Sequence, residues 1–260
     1  LIDFIGDAEG IIIGLEKVDE ELLIQCPNLQ IVAKYGVGLD NIDLEACQKR
    51  GIAIGWSGGI NRLSVAEMVL GFMLTLSRNL FQTSLQLKEG TWNKSGGYQL
   101  TGKKVGIIGV GHIGKELIRL LEPFKCELLV NDVINQDKYY NEIGATEASK
   151  EEIFKTADII TIHTPLTKET KNMINQKTLS LMNQESIVIN TARGGLIDEE
   201  ALFMALSKNL IKAAAMDVYM EEPPTKNEFL QLPNLFCTPH IGGNANEAVL
   251  AMGLSAINHI

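Results

Sequence analysis

A glycine-spaced segment near the middle of the sequence has the pattern of a phosphate-binding turn. Residues 104–114 contain a short apolar run followed by Gly109, Gly111 and Gly114 in a Gly-x-Gly-x-x-Gly arrangement. The first glycine permits a tight turn, the second lets the backbone approach a pyrophosphate, and the third lets a helix pack closely on a strand. The N-terminus of the helix predicted at residues 115–121 would stabilise the phosphate charge. The segment therefore predicts a dinucleotide-binding turn.

A carboxylate after the next predicted strand indicates which dinucleotide would bind. Asp132 stands just past the apolar run at residues 128–130. A carboxylate there can accept hydrogen bonds from the adenosine ribose and would repel a 2′-phosphate, which favours NAD over NADP. The alternative is a glycine turn that binds no ligand, with Asp132 as an ordinary strand-end cap.

Three segments late in the sequence place an arginine, a carboxylate and a histidine after predicted strands. They are Arg193 in residues 190–195, Glu222 in residues 216–223 and His240 in residues 238–243. Open α/β sheets bind ligands at the carboxyl ends of their strands, so these side chains are candidates for one site. Taken singly, each has an ordinary interpretation: a surface arginine, a solvated loop carboxylate and a structural histidine.

The elements that would position these residues follow an alternating pattern. From Leu100 onward, apolar runs alternate with amphipathic helical runs, which predicts a parallel sheet. The predicted strands are residues 105–108, 128–130, 159–162, 187–189, 213–216 and 235–238. Before Gly59 the same alternation recurs over a shorter stretch, with predicted strands at 10–13, 30–33 and 52–54 and predicted helices at 18–26 and 44–49. The fold class is therefore α/β, with two doubly wound parallel-sheet domains.

The clearest predicted helix spans residues 64–77. Ser64 and Glu67 form the pattern of a capping box, and apolar residues cover much of the remaining surface. We expect both domains or another subunit to cover so apolar a helix, and a homodimer is the resulting prediction. Residues 88–102 are predicted to form a loop, and residues 247–260 a final helix.

Composition limits the classes of function. The 260 residues carry a net charge of −9, which disfavours unspecific binding to nucleic acid or to an anionic membrane. No apolar run approaches the roughly 18 residues of a membrane span. The four cysteines are far apart and lack metal-ligand spacing, so we expect reduced thiols and no metal site. With no signal peptide visible, a cytoplasmic protein is expected.

Together these motifs closely resemble those of the D-isomer-specific 2-hydroxyacid dehydrogenases, especially the phosphoglycerate dehydrogenase branch. The resemblance extends to residues 34–41, 61–67 and 163–167 and covers nearly the whole chain. It implies a Rossmann NAD-binding domain at residues 61–241 and a smaller flavodoxin-like substrate domain at residues 1–60. Residues 242–260 would be a return segment to the substrate domain. Because the first residue is Leu, we expect the beginning of that domain to be missing.

The resemblance also implies roles for the three late residues. Arg193 corresponds to the substrate-binding arginine, Glu222 to the acid that pairs with the catalytic histidine, and His240 to the general acid/base. Histidine titrates near neutrality and can therefore donate or accept the proton of the reacting oxygen. A carboxylate beside it would favour the imidazolium form and orient the ring. The guanidinium offers a planar fork for a carboxylate.

Further site residues follow from the same resemblance. The cofactor-binding set is Gly109, Gly111, His112, Ile113, Gly114, Asp132, His163, Thr191, Ala192, Asp217, Gly242 and Gly243. Thr191 and Asp217 should lie near the nicotinamide, with Asp217 accepting from its amide. The substrate-binding set is Gly36, Val37, Gly38, Asn61 and Arg193, with backbone N–H groups of residues 36–38 forming an anion cradle.

The implied activity is NAD-dependent interconversion of a D-2-hydroxy acid and its 2-oxo acid, including 3-phosphoglycerate as one candidate substrate. That substrate is doubtful, because Glu16 and Lys17 lie near the position where phosphoglycerate dehydrogenases carry a phosphate-binding arginine. Glu222, where formate dehydrogenases carry glutamine, argues against that related activity. The alternative function is an NADH-sensing, corepressor-like interaction protein on the same fold.

Overall fold

The computed structural model describes residues 1–225 and 227–260. The chain divides into two compact units, the first formed by residues 1–64 and 243–260 and the second by residues 65–242. The sequence-based division places the corresponding boundaries after residues 60 and 241.

The first unit contains a three-stranded parallel sheet in the order β1-β2-β3. The strands are β1 (Gly10–Ile13), β2 (Ile31–Lys34) and β3 (Ala53–Gly55), and the helices are α1 (Ile2–Ile5), α2 (Glu20–Gln25), α3 (Leu44–Lys49) and α12 (Asn246–His259). Asp19 and Asp43 cap α2 and α3, because each carboxylate accepts a backbone N–H of the first helical turn. Strands and helices alternate here as the sequence predicts.

The second unit is built on a seven-stranded parallel sheet in the order β10-β9-β8-β7-β4-β5-β6. Its strands are β4 (Lys104–Ile108), β5 (Glu127–Asn131), β6 (Thr146–Glu147), β7 (Ile159–Ile162), β8 (Ile187–Asn190), β9 (Ala213–Met216) and β10 (Leu235–Cys237). Its helices are α5 (Leu80–Lys88), α6 (His112–Leu121), α7 (Asp137–Ile143), α8 (Lys150–Thr156), α9 (Gln176–Leu179), α10 (Glu199–Ser207) and α11 (Asn227–Leu230).

Alternate residues of the central strands enter two separate hydrophobic clusters, one on each face of this sheet. Ile160 and Val188 belong to one cluster, whereas Ile159 and Ile187 belong to the other. Burial of both faces explains why these strands are continuous apolar runs in the sequence.

The strand order of the sheet reverses at β4, because β5 lies on one side of β4 and β7, which comes later in the chain, lies on the other side. In doubly wound sheets, ligands bind at the carboxyl ends of the strands at such a reversal. The predicted α/β fold class is confirmed.

The long apolar helix differs from the prediction at its start. Helix α4 runs from Arg62 to Ser77, so Ser64 is inside its first turn and the predicted capping box with Glu67 is wrong. The helix begins earlier because Gly59 adopts a left-handed conformation and its carbonyl accepts the N–H of Arg62 at 3.1 Å. The Ser64 hydroxyl instead accepts the N–H of Ala245 at 3.2 Å.

Two other boundaries also shift. Helix α6 begins at His112, within the glycine motif, rather than at Lys115. Helix α5 was not predicted, and Lys88, placed at the start of the predicted loop, is its last residue. Within residues 1–225 and 227–260, no single helix is long and apolar enough to cross a membrane. Helices α4 and α5 meet that criterion only as a pair, which is bent by 61°.

Candidate active site

The glycine motif forms the turn between β4 and α6. Gly109 has a φ of +97°, and a Cβ atom there would lie 2.6 Å from the carbonyl oxygen of His163. A Cβ at Gly114 would overlap the carbonyl oxygen of Gly109, whereas one at Gly111 would have no described atom within 4 Å. Gly109 and Gly114 are therefore required by close packing. Gly111 leaves an open approach to the backbone, as a pyrophosphate would need.

The start of α6 lies directly after this open position. His112 and Ile113 are its first two residues, and the first bond of the helix joins the N–H of Lys115 to the carbonyl of Gly111 at 3.0 Å. The N–H groups of a first helical turn lack partners within the helix and can bind an anion. His112, which the resemblance assigns to the cofactor, could therefore contribute through its backbone N–H.

Asp132 follows β5 and faces the same turn. One carboxylate oxygen accepts the N–H of Val110 at 2.6 Å, and the other accepts the N–H of Ile134 at 2.9 Å. The Gln136 amide donates to the carbonyl of Val110 at 3.2 Å. Asp132 thus holds the turn that follows β4 in addition to presenting a negative charge beside it. Its contact with a ribose stays a prediction.

Three polar side-chain atoms at the carboxyl ends of β7 and β8 are buried without a hydrogen-bond partner among the described residues. They are Nδ1 of His163 and the hydroxyls of Thr164 and Thr191. Buried polar groups are almost always paired, so this cluster fits a polar ligand such as a dinucleotide. The Nε2 atom of His163 lies 3.0 Å from the Thr161 hydroxyl. Burial lowers the pKa of His163 to about 4, so its ring is neutral at neutral pH.

The loop after β8 carries Arg193 and is held by a buried asparagine. The Asn190 amide donates to the carbonyl of Arg193 at 2.8 Å and accepts the N–H of Ala192 at 3.0 Å. The Arg193 guanidinium, which is half-buried, donates to the carbonyl of Ala192 at 2.6 Å. The side chain of Asn190 therefore fixes the backbone from which the guanidinium extends. Asn190 lies in the predicted segment of residues 190–195, but the sequence alone does not indicate this function.

Glu222 and His240 are brought together by the loops that follow β9 and β10. The Nδ1 atom of His240 lies 2.7 Å from Oε2 of Glu222, and Oε1 of Glu222 accepts the N–H of Tyr219 at 3.0 Å. About half of the His240 side chain is exposed, and its backbone is left-handed, with a φ of +54°. The imidazole is thus oriented by a carboxylate and open on its other side.

The loops that carry Arg193 and Glu222 are in direct contact. A Cβ atom at Gly194 would overlap the carbonyl group of Tyr219 and lie 2.5 Å from the N atom of Met220. Since Gly194 follows Arg193 and Met220 precedes Glu222 by two residues, the two predicted catalytic segments lie against each other.

Asp217 organises the loop around His240. Its carboxylate is 1% exposed and accepts three hydrogen bonds, from the Thr238 hydroxyl at 2.6 Å and from the N–H groups of Ile241 and Gly242 at 2.8 and 2.7 Å. A carboxylate has about four acceptor positions. Among the described residues these three bonds fill three of the positions. The bond to a nicotinamide amide, which would use the fourth, stays a prediction.

Apart from Arg193, which belongs to the second unit, the residues predicted to bind substrate lie in the first unit. Gly36 has a φ of +125°, and the Trp56 indole donates to the carbonyl of Val37 at 2.9 Å. Gly38 follows them in the same loop, and Asn61 immediately precedes α4. The side-chain oxygen of Asn61 is buried without a partner among the described residues. Gly243, assigned to the cofactor, also belongs to this unit, whereas Gly242 belongs to the second.

Residues 14–17, where the resemblance predicts a departure from phosphoglycerate dehydrogenases, also lie in the first unit. The Glu16 carboxylate accepts the N–H of Gly14 at 2.7 Å, and backbone hydrogen bonds lower the pKa of Glu16. Lys17 pairs with Asp19 at 2.8 Å. Glu16 therefore carries its negative charge at neutral pH, and the ammonium of Lys17 is bound to another carboxylate.

Comparison with known proteins identifies the family. Residues 70–242 match the model described as "D-isomer specific 2-hydroxyacid dehydrogenase, NAD binding domain". The chain belongs to the D-isomer-specific 2-hydroxyacid dehydrogenase family. The sequence-based recognition of this family is confirmed, and so is NAD as the family's cofactor.

Relatives within the family include dehydrogenases and reductases. The chain is 37% identical to D-3-phosphoglycerate dehydrogenase of Methanocaldococcus jannaschii, over 97% of this chain and 49% of that protein. It is 38% identical to glyoxylate reductase of Thermococcus litoralis, over 90% of this chain and 73% of that protein. The chain thus spans about half the length of the phosphoglycerate dehydrogenase and most of the reductase.

Solved structures agree with this assignment. The D-lactate dehydrogenase from Aquifex aeolicus, complexed with NAD and lactic acid, superposes with a TM-score of 0.91 at 28% identity, covering 99% of this chain and 83% of that chain. These relatives are dehydrogenases or reductases, which supports the prediction of an NAD-dependent dehydrogenase. They lend no support to the corepressor-like alternative.

Proposed function

We propose that this protein interconverts a D-2-hydroxy acid and its 2-oxo acid, with His240 as the general acid/base. The observation that carries the proposal is the 2.7 Å contact between His240 Nδ1 and Glu222 Oε2. It places an oriented imidazole after β10, in the same parallel sheet in which β4 leads into the dinucleotide turn. Bound NAD supplies the hydride acceptor, or the donor in its reduced form.

The two nitrogens of His240 have separate tasks. Because Nδ1 faces a carboxylate, it is the nitrogen that holds a proton for that hydrogen bond. The exchangeable proton of the imidazolium is then on Nε2, which can donate it to the oxygen of a 2-oxo acid as negative charge develops there. In the oxidative direction, the neutral Nε2 accepts the proton of the hydroxyl group.

Arg193 and the backbone of the first unit are proposed to bind the substrate. The Arg193 guanidinium can form two parallel hydrogen bonds with the substrate carboxylate or polarise its carbonyl. Gly36, Val37, Gly38 and Asn61 are proposed as further substrate-binding residues. The left-handed Gly36 supports the backbone cradle. The unpartnered side-chain oxygen of Asn61 is an acceptor, so it suits the hydroxyl group of a 2-hydroxy acid and not its carboxylate. On this proposal, residues 1–60 and 242–260 form the substrate domain and residues 61–241 the NAD-binding domain.

A small 2-oxo acid without a phosphate is the substrate that these residues favour. The carboxylate of Glu16 would repel a phosphate, and the ammonium of Lys17 already binds Asp19. Relatives of the chain include a glyoxylate reductase and a hydroxypyruvate reductase, each of which is named for a small 2-oxo acid. D-3-phosphoglycerate is the competing candidate, because it gives other relatives their name.

Assembly and location are part of the proposal. Large apolar side chains are exposed on α5 and in the segment after it: Leu80, Leu85, Leu87 and Trp92. We propose that they are covered by a second copy of the chain in a homodimer. The four cysteines are free thiols, which supports a cytoplasmic location. The net charge of −9 supports a protein that acts on a small molecule and does not bind nucleic acid or an anionic membrane. Light scattering after size-exclusion chromatography measures the assembly.

The deciding experiment measures NADH oxidation by the purified protein with glyoxylate, hydroxypyruvate, pyruvate and 3-phosphohydroxypyruvate. We expect turnover with at least one unphosphorylated acid and a lower kcat/KM for the phosphorylated one. The highest kcat/KM with 3-phosphohydroxypyruvate would reject the substrate assignment but keep the reaction. Tight NADH binding without turnover on any of the four acids would reject the enzyme and favour the sensor.

A further inference from the structure

A buried glutamate outside the predicted site reaches the loop that carries Glu222. Glu199 is the first residue of α10 and is 9% exposed. Its Oε1 atom accepts the N–H of Met220 at 2.7 Å. The next helical residue, Glu200, is exposed. The two adjacent carboxylates therefore have different environments, and only Glu199 is directed towards the loop.

The peptide unit between Tyr219 and Met220 is held from several sides. Its face packs on Gly194, where even a Cβ atom would not fit. Its N–H, that of Met220, binds Glu199, while the preceding N–H, that of Tyr219, binds Oε1 of Glu222. Two consecutive N–H groups thus each bind a carboxylate, one on α10 and one from the loop itself.

The Tyr219 side chain ties the same segment to the strand that leads to His240. Its buried hydroxyl lies 2.9 Å from the carbonyl of Thr238 and 3.2 Å from that of Met216, and it can donate to either. The position of Tyr219 therefore affects both Glu222 and His240. Glu199 binds the next N–H group along the chain, that of Met220.

We propose that Glu199 is a positioning residue for the Glu222–His240 pair. By holding the Met220 N–H, it restrains the backbone on the C-terminal side of Tyr219 and so helps to keep the neighbouring Tyr219 N–H in place. That N–H in turn anchors Oε1 of Glu222, so that Oε2 faces Nδ1 of His240. A buried carboxylate is unfavourable unless it is hydrogen-bonded, and here the bond goes to the loop of the pair. The inference rests on the proposed function in so far as the pair is catalytic.

Glu199→Ala tests the inference, with Glu199→Gln as the conservative variant and Glu200→Ala as the matched control. Misplacing Glu222 should lower kcat by about 10- to 100-fold in Glu199→Ala, with little change in the KM for NADH. Glu199→Gln keeps a carbonyl oxygen for the Met220 N–H and should recover most of the turnover. If Glu199→Ala does not fold, Glu199→Asp, whose shorter side chain cannot reach Met220, replaces it.

The pH profile separates positioning from general stability. The carboxylates that face His240 or its loop among the described residues are Glu222 and Asp217, and the exposed Glu221 is next to Glu222. Because both changes would leave His240 without an oriented carboxylate, the pH profile of kcat in Glu199→Ala should differ from that of the wild type in the same way as in Glu222→Gln. A variant with a lower Tm but a wild-type pH profile and kcat would overturn the proposal.

A measurement independent of turnover separates this inference from the proposed reaction. The ring signals of the four histidines can be followed by NMR as a function of pH, with His240→Gln identifying the relevant signal. We expect the His240 signal of Glu199→Ala to respond to pH as it does in Glu222→Gln. If the wild type reduces no 2-oxo acid, the proposed function fails but this comparison still tests positioning. A wild-type response in Glu199→Ala would reject the positioning role.

Discussion

The Nδ1 atom of His240 lies 2.7 Å from Oε2 of Glu222, and the other oxygen of the same carboxylate binds the N–H of Tyr219. The carboxylate is therefore anchored on one side before it orients the imidazole on the other. A proton-transfer residue arranged in this way needs both contacts, so changes at either oxygen of Glu222 should affect turnover.

Glu222→Gln should reduce turnover. The amide oxygen can still accept a hydrogen bond from Nδ1 of His240, but it carries no negative charge opposite the imidazole, so the ring is oriented less firmly. At neutral pH we expect kcat for reduction to fall at least about tenfold. The measurement is kcat between pH 5 and 9 in steady-state NADH oxidation. Glu221→Gln, which changes the neighbouring carboxylate, is the control, and equal profiles for both variants would contradict the assignment of Glu222.

Arg193→Lys should weaken the binding of the 2-oxo acid even though the charge is retained. An ammonium cannot form the two parallel hydrogen bonds of a guanidinium, and the loss of one charged hydrogen bond corresponds to about 10- to 100-fold in kcat/KM. Arg119→Lys, at an exposed ion pair with Glu116, serves as the control. A wild-type kcat/KM in Arg193→Lys would remove this side chain from substrate binding.

Asp132→Asn should shift the cofactor preference towards NADP. The amide oxygen can still accept the N–H of Val110, which holds the turn, although the second bond, from the N–H of Ile134, is lost. The charge that repels a 2′-phosphate is gone. We expect the ratio of kcat/KM for NADPH to that for NADH to rise about tenfold, or about 1.4 kcal/mol. A loss of NADH affinity without any gain for NADPH would show that Asp132 acts only by holding the turn.

Two glycines of the same motif should respond differently to alanine. A Cβ atom at Gly111 meets no described atom within 4 Å, so Gly111→Ala should retain its Tm but bind NADH at least about tenfold more weakly. At Gly114 the Cβ atom overlaps the carbonyl of Gly109, and overpacking of this kind costs about 1–3 kcal/mol of folding stability. Thermal unfolding and NADH fluorescence titration measure the two effects. Equal losses of Tm in both variants would argue against an open approach at Gly111.

His163 should make folding stability depend on pH between about 6.5 and 4. Burial lowers the pKa of this ring from its ordinary value of 6.5 to about 4. Between these values the unfolded chain takes up a proton that the folded protein does not, so stability falls as the pH falls through this window and is fully present above it. The free energy of unfolding of His163→Gln, measured in urea at pH 7 and 5, should change less than that of the wild type.

The exposed His112 provides the control for this measurement. His112→Gln should retain the pH dependence of the wild type, because it leaves the buried imidazole in place. Identical pH dependence in His163→Gln and the wild type would contradict a neutral, buried His163.

The sequence predicted the large sheet well because its central strands are buried on both faces. Residues 159–162 and 187–190 are mostly apolar for this reason, and the boundaries of these strands were predicted to within one residue. The glycine turn was also recognisable, since close packing excludes a side chain at Gly109 and Gly114. The start of α4 was not, because the local cap pattern at Ser64 competes with a turn at Gly59 that begins the helix earlier.

The contacts that position the candidate site were largely invisible in the sequence. Asn190 binds the backbone of Arg193, Glu199 binds that of Met220, and Asp217 binds N–H groups of Ile241 and Gly242. A hydrogen bond from a side chain to a distant backbone group leaves no characteristic spacing of residue types. Asp217 illustrates the difference, since the family resemblance suggested a cofactor contact and the structure adds a role in holding the histidine loop.

The left-handed backbone at His240 restricts how its chemistry can be probed by mutagenesis. Among residues with a side chain, asparagine and aspartate adopt that conformation with least strain, whereas β-branched residues resist it. Replacing the imidazole with valine or threonine would distort the loop and abolish proton donation at once. Asparagine leaves the backbone relaxed, so a defect in that variant reports on the missing ring alone.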